Sequence, residues 1–134
     1  FKMHIDQINF YAVLACTILY MILGFIWYSL FSHEWSKLTG ISKDEMKDKP
    51  FAYLGSFAIA FILSFVMAHF VVIGNAITFT DGAVIGAWAW LGFVATTYFS
   101  LVLWEDRPLQ LYLINVSILL IAMVLIGGIL AAWR

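Results

Sequence analysis

Residues 109–133 read LQLYLINVSILLIAMVLIGGILAAW, without one Asp, Glu, Lys or Arg. An α-helix rises 1.5 Å per residue, so ~20 apolar residues cross the ~30 Å hydrocarbon layer of a bilayer. This run is long enough to do so. Its few polar side chains, such as Gln110, Asn115 and Ser117, are too sparse for a water-facing side. Three further stretches, 7–33, 51–80 and 82–104, are equally free of charge, and nearly all the charged residues fall in the gaps between them. The pattern predicts an all-α integral membrane protein. Four transmembrane helices, about 8–31, 51–73, 82–104 and 109–133, are expected in an antiparallel bundle, with residues 1–134 forming a single four-span domain.

Composition points the same way. The chain is 64% hydrophobic and 11% charged, against about 25% charged residues in soluble domains. A net charge of −1 provides no basic face for nucleic acid. Cys16 is the only cysteine, which excludes an internal disulfide and a multi-cysteine metal site. The first apolar core is longer than the ~7–15 residues of a signal-peptide h-region. It follows His4 and Asp6 rather than a basic segment, so it is expected to be retained as a helix.

The loops carry the orientation. Lys37, Lys43, Lys47 and Lys49 lie between spans one and two, and Arg107 lies between spans three and four. Only Lys2 and Arg134 lie on the opposite side. Because Lys and Arg in short loops favour the cytoplasm, both charged loops are placed there and both termini outside. Ser42 and Glu45 form a capping-box pair, with Ile41 and Met46 as its hydrophobic staple, so a short interfacial helix is expected over about 43–49. Its lysines are matched by acids, as in a solvated turn rather than a polybasic lipid-binding segment. Glu105-Asp106-Arg107-Pro108 is a tight turn, with Pro108 expected at the first position of span four. Thr80 or Asp81 is expected to cap span three. Trp27, Tyr28, Trp35, Trp88, Trp90, Trp104 and Trp133 fall towards span ends, where amphipathic rings anchor at the headgroups.

Lipid is as apolar as leucine, so membrane helices associate through close backbone approach and a few polar contacts. Ala52, Ser56, Ala60, Ser64 and Ala68 form a stripe of small residues along span two, expected to face protein. Gly92, Thr96 and Ser100 repeat the spacing in span three; Gly127/Ala131 and Gly128/Ala132 do so in span four. Leu23-Gly24-Phe25-Ile26 is echoed by Leu91-Gly92-Phe93-Val94, a pattern that duplication or chance in a Leu- and Gly-rich chain would both produce.

No acid or strong base lies inside a span, although ion-coupled transporters usually carry one. His69 is placed near the outer interface, ~27 Å along its helix from Phe51. Asn115 is the amide that hydrocarbon forces to find a partner, and folding the 105–108 turn back on itself brings it level with Thr97 and Tyr98. At the cytoplasmic face, Glu34 is expected to pair with Arg107, beside His33, Glu105 and Asp106. An acid–base site could be assembled from those groups, but no nucleophile–His–acid set, metal spacing or phosphate loop is present.

The stretches Gly24-Phe25-Ile26-Trp27-Tyr28-Ser29 and Trp35-Ser36-Lys37-Leu38-Thr39-Gly40 resemble the first span of the bacterial membrane family catalogued as domain of unknown function 1761. So do Trp90–Thr96, Glu105–Leu109, Leu113-Ile114-Asn115 and Gly127–Trp133 in its second half. Ala95-Thr96-Thr97 departs from the family pattern where a proline is expected, which argues against a kink in span three. The resemblance implies the architecture and a bacterial inner membrane. It points to Trp27, Tyr28, Glu105, Arg107 and Asn115 as motif positions, and with Glu34 these are the candidate partner or ligand contacts. The expected function is non-enzymatic, with no cofactor and no metal. The protein would act through helix contacts in the lipid bilayer, as a homo-oligomer or with other membrane subunits. A small dimeric transporter or channel is the alternative.

The orientation is directly testable in a background lacking Cys16. A cysteine at position 43 is expected to be labelled from the cytoplasmic side and one at position 78 from outside. Labelling of position 78 from the cytoplasmic side alone would invert the topology.

Overall fold

The computed structural model describes residues 5–42, 44, 45 and 49–134. Four helices in it are long and apolar enough to cross a membrane, and no strand occurs among the described residues. The first, α1 (Phe10–Leu30), begins where the Asn9 side chain accepts the backbone N–H groups of Tyr11 and Ala12. It breaks at Phe31 into an unanticipated short helix, α2 (Ser32–Thr39), which ends on the left-handed Gly40. The second span, α3 (Pro50–Ile73), starts on its proline. The helix expected over 43–49 includes positions 43 and 46–48, which lie outside the described residues. Ser42 does accept the Glu45 N–H, one half of the capping box.

The third span, α4 (Phe79–Trp104), departs from expectation twice. Its cap is Thr78, whose hydroxyl accepts the Asp81 N–H, so the helix begins earlier than Thr80 or Asp81 would allow. Its middle, Trp90–Ala95, is a π-helical turn, so the span is irregular without any proline. The fourth span, α5 (Leu109–Ala132), starts just after Pro108, which is the cap rather than the first helical residue.

α5 is the centre of the bundle. It packs against α1, α3 and α4, whereas α4 rests on α5 and barely touches α3. The α4–α5 contact is made by glycine. A Cβ on Gly82 would collide with the Gly127 carbonyl, one on Gly86 with the Met123 carbonyl, and one on Gly128 with the Phe79 ring. Backbone therefore lies on backbone at the end of the bundle where the two termini meet. That end is sealed. Ile8, Ala12, Val13, Cys16, Met67, Val71, Ala76, Ile126 and Leu130 form a buried core, Asn9 donates to the Trp133 carbonyl, and Arg134 donates to that of Ala76.

The small-residue stripe of α3 faces protein over only part of its length. Ala60, Ser64 and Ala68 are buried, Ser56 is half-buried, and Ala52 is exposed. A four-residue repeat overshoots the helical period by about 40° per step, which turns Ala52 nearly to the opposite face from Ala68. On α4, Gly92, Thr96 and Ser100 all face outward. The two hydroxyls there fold back on the Gly92 and Thr97 carbonyls.

Gly86→Ala and Gly127→Ala are expected to lower thermal stability in detergent by about 1–3 kcal/mol through overpacking against backbone. Gly24→Ala and Gly92→Ala, where a Cβ meets nothing within 4 Å, should leave stability unchanged or raise it by up to about 1 kcal/mol. Equal effects from the two pairs would contradict the close α4–α5 contact.

Candidate functional site

Towards the other end, which carries α2 and the 105–108 turn, the helices diverge around a cavity of about 710 Å³. The 3.6-residue period builds its walls. Tyr20, Gly24 and Tyr28 lie one above another on α1, flanked by Met21, Phe25 and Ser29. Ser32 and Trp35 of α2 continue that wall, and Tyr53 and Ser56 of α3 and Tyr98 of α4 face it. Asn115, Ile118, Leu119 and Ala122 form the α5 wall. No lining residue is charged.

Three consecutive residues of α5 hold the neighbouring helices around this space. The Trp27 indole N–H donates to the Ile114 carbonyl at 2.9 Å. The Tyr28 hydroxyl donates to Asn115 Oδ1 at 2.8 Å, and the Trp90 indole N–H donates to the Val116 carbonyl at 2.8 Å. The Tyr112 hydroxyl returns a bond to the Ala95 carbonyl, at the end of the π turn. Trp27 and Trp90 therefore tie helices together inside the bundle, a role not anticipated for rings expected at the headgroups. Trp88, Trp104 and Trp133 are exposed.

Asn115 bonds to Tyr28 of α1, not to Thr97 or Tyr98. The Gly82–Gly127 and Gly86–Met123 contacts set the α4–α5 register, which brings Asn115 level with Val94, one turn away from the expected position. Tyr98 still lines the same cavity. Arg107 approaches Glu105 at 3.6 Å, with both side chains more than half exposed, and makes no ion pair with Glu34. Asp106 explains this: its φ of 52° turns the chain sharply, and the Arg107 N–H bonds the Leu101 carbonyl, as that of Glu105 does. The structure thus joins Tyr28 and Asn115 on the cavity wall, places Trp27 next to them on the Ile114 carbonyl, and leaves Glu34, Glu105 and Arg107 off that wall.

His69 lies near the terminal end of α3. Its Nδ1 donates to the Phe65 carbonyl at 2.9 Å, and its ring packs edge-on against that of Phe65. His4 lies outside the described residues. Among the described residues no group of His, Cys, Asp and Glu could hold a metal. Sequence reasoning missed Gly82-xxx-Gly86, whose small-xxx-small spacing is a packing signal in membrane helices. It also missed Tyr20 and Tyr112, which no spacing rule distinguishes from other tyrosines.

Charge-free spans, glycine-mediated helix contact and a neutral central cavity define a small four-span helical membrane protein. The chain belongs to the family described as Protein of unknown function (DUF1761), which matches residues 11–131. No curated protein and no solved structure matches it.

The Tyr28–Asn115 bond is expected to show in a double-mutant cycle. Tyr28→Phe and Asn115→Leu should couple by about 0.6 kcal/mol, and by no more than ~1.7 kcal/mol, as interhelical bonds in bilayers do. Arg107→Ala and Glu34→Ala should be additive in thermal stability. Additivity in the first pair, or coupling in the second, would reverse the assignment of partners.

Proposed function

We propose that this is a non-enzymatic membrane protein that binds an uncharged small molecule between its spans, as a carrier does. The observation behind this reading is the cavity: about 710 Å³, walled by all four spans and lined only by neutral side chains. Ligand pockets run from about 300 to 1,000 Å³ and combine apolar walls with a few placed polar groups. An ionised ligand would lose its hydration here with no counter-charge to replace it, a large penalty at low dielectric. The cavity lies beside the packed core, and a space between spans is where carriers hold their substrates.

A role for helix contacts rests on a different surface. The outward face of α4 presents Gly92, Thr96 and Ser100 with their hydroxyls already satisfied, which suits close approach of a second copy or another membrane subunit. The family resemblance favours a bacterial inner membrane, and the lysine-rich loop favours termini outside the cytoplasm.

Binding can be read with N-phenyl-1-naphthylamine, a neutral aromatic dye, by energy transfer from the tryptophans, of which Trp35 lines the cavity, in lipid nanodiscs, with empty nanodiscs as the blank. Transfer is expected in the parent and should fall at least about tenfold in Gly24→Leu, which fills the wall where a Cβ meets open space. The anion 8-anilino-1-naphthalenesulfonate should not compete. Equal transfer in the parent and in Gly24→Leu would sink the cavity reading.

A further inference from the structure

Tyr20, Phe25, Tyr28, Trp35, Tyr53 and Tyr98 give the cavity six aromatic rings. Flat walls of this kind favour a flat occupant, through offset or edge-on ring contacts. The polar groups among them are not equivalent. Asn115 has its oxygen engaged by the Tyr28 hydroxyl. That bond fixes the plane of the amide and leaves both Nδ2 hydrogens without a partner among the described residues. Nδ2 is not fully buried, and Asn115 lines the cavity. With one lone pair of its oxygen taken, the amide keeps two free donors against one remaining acceptor site, so donation dominates what it offers. Tyr20 and Tyr98, on α1 and α4, line the same space, and neither hydroxyl has a hydrogen-bond partner among the described residues.

We infer, building on the small-molecule reading above, that the cavity selects an uncharged planar ring compound carrying carbonyl acceptors, of the para-quinone type, and that the Asn115 amide reads one of those carbonyls. Tyr28 is the positioning residue: it touches the amide and sets the direction of its N–H groups. Tyr20 and Tyr98 supply donors for a second carbonyl. Charge neutrality of the walls excludes the ionised analogues, and hydrocarbon rings of the same size fit the space but leave the amide unpaired.

The probe is 2-methyl-1,4-naphthoquinone, compared with 2-methylnaphthalene, in displacement of N-phenyl-1-naphthylamine from the protein in nanodiscs. The quinone is expected to bind roughly tenfold more tightly, the worth of about one well-made hydrogen bond in a water-poor site. Asn115→Leu should abolish that preference, bringing the affinities of the two probes to within about twofold of each other. Tyr28→Phe, which keeps the ring and releases the amide, should reduce the preference in the same direction and serves where Asn115→Leu does not fold. Phylloquinone, the same ring with a hydrocarbon tail, identifies the source: tighter binding than the tail-free ring assigns a membrane-borne ligand, weaker binding a water-borne one, and either result carries the inference. If both bicyclic probes displace the dye equally and neither variant changes their ratio, carbonyl recognition by Asn115 is wrong while the neutral cavity stands. If neither displaces a dye that binds, the ring-compound inference falls. Failure of the dye itself to bind removes the cavity reading beneath it.

Discussion

Gly82 and Gly86 lie against the backbone at Gly127 and Met123, and the arrangement of the other helices follows from that contact. In lipid there is no hydrophobic force drawing one apolar helix to another, so association depends on how closely backbones approach. Glycine allows the closest approach, and both helices carry it only towards the terminal end of their contact. There α4 and α5 meet backbone to backbone. α1 and α3 pack on the other sides of α5, and the small side chains Ala12, Cys16, Ala60, Ser64 and Ala68 let them come close as well. Towards the α2 end the facing residues become large, and the helices spread.

Spread helices in a bilayer need something to define their separation. Here it is a set of long side chains with a donor at the tip. Trp27, Tyr28 and Trp90 converge on residues 114–116 of α5, and Tyr112 reaches back to α4. Each bond contributes only about 0.6 kcal/mol on average, so together they are worth roughly 2–3 kcal/mol. Their larger effect is geometric. A ring spanning the gap between two helices sets both the distance and the register, and it keeps the indole or phenol donor satisfied where water is absent. The π turn belongs to the same arrangement. Such turns widen the helix and redirect the residues beyond them, and this one spans Trp90 and Ala95, the two α4 residues that bond to α5.

The number and approximate limits of the spans were legible because one constraint dominates: hydrocarbon excludes charge, and the charges of this chain lie between the runs. Asn115 was legible as a polar group in need of a partner for the same reason. Its partner was not, because that depends on helix register. Register is set by the left-handed Asp106, the wide turn in α4 and the glycine contact, none of which a span-length argument contains. The Glu34–Arg107 expectation failed on the same turn. Charge complementarity suggested the pair, whereas the backbone direction after Asp106 aims Arg107 at Glu105. The α3 stripe was readable as a packing face, but its drift around the helix meant that only the terminal half could remain in contact.

That drift links the closed half of the molecule to the open one. Moving along α3 from Ala68 to Ser56, the same row of small side chains passes from buried core to cavity wall. Near the boundary sits Ser64, fully buried, its hydroxyl without a partner among the described residues. An unpaired buried hydroxyl costs about 1–3 kcal/mol, and an alanine would satisfy the same steric requirement. Ser56, eight residues away on the stripe, meets no such penalty because it faces the cavity. Packing accounts for the size of both residues but for the polarity of neither. A hydroxyl on the cavity wall is useful to a polar occupant; the one at Ser64 is a cost that the glycine-bound end of the bundle must offset.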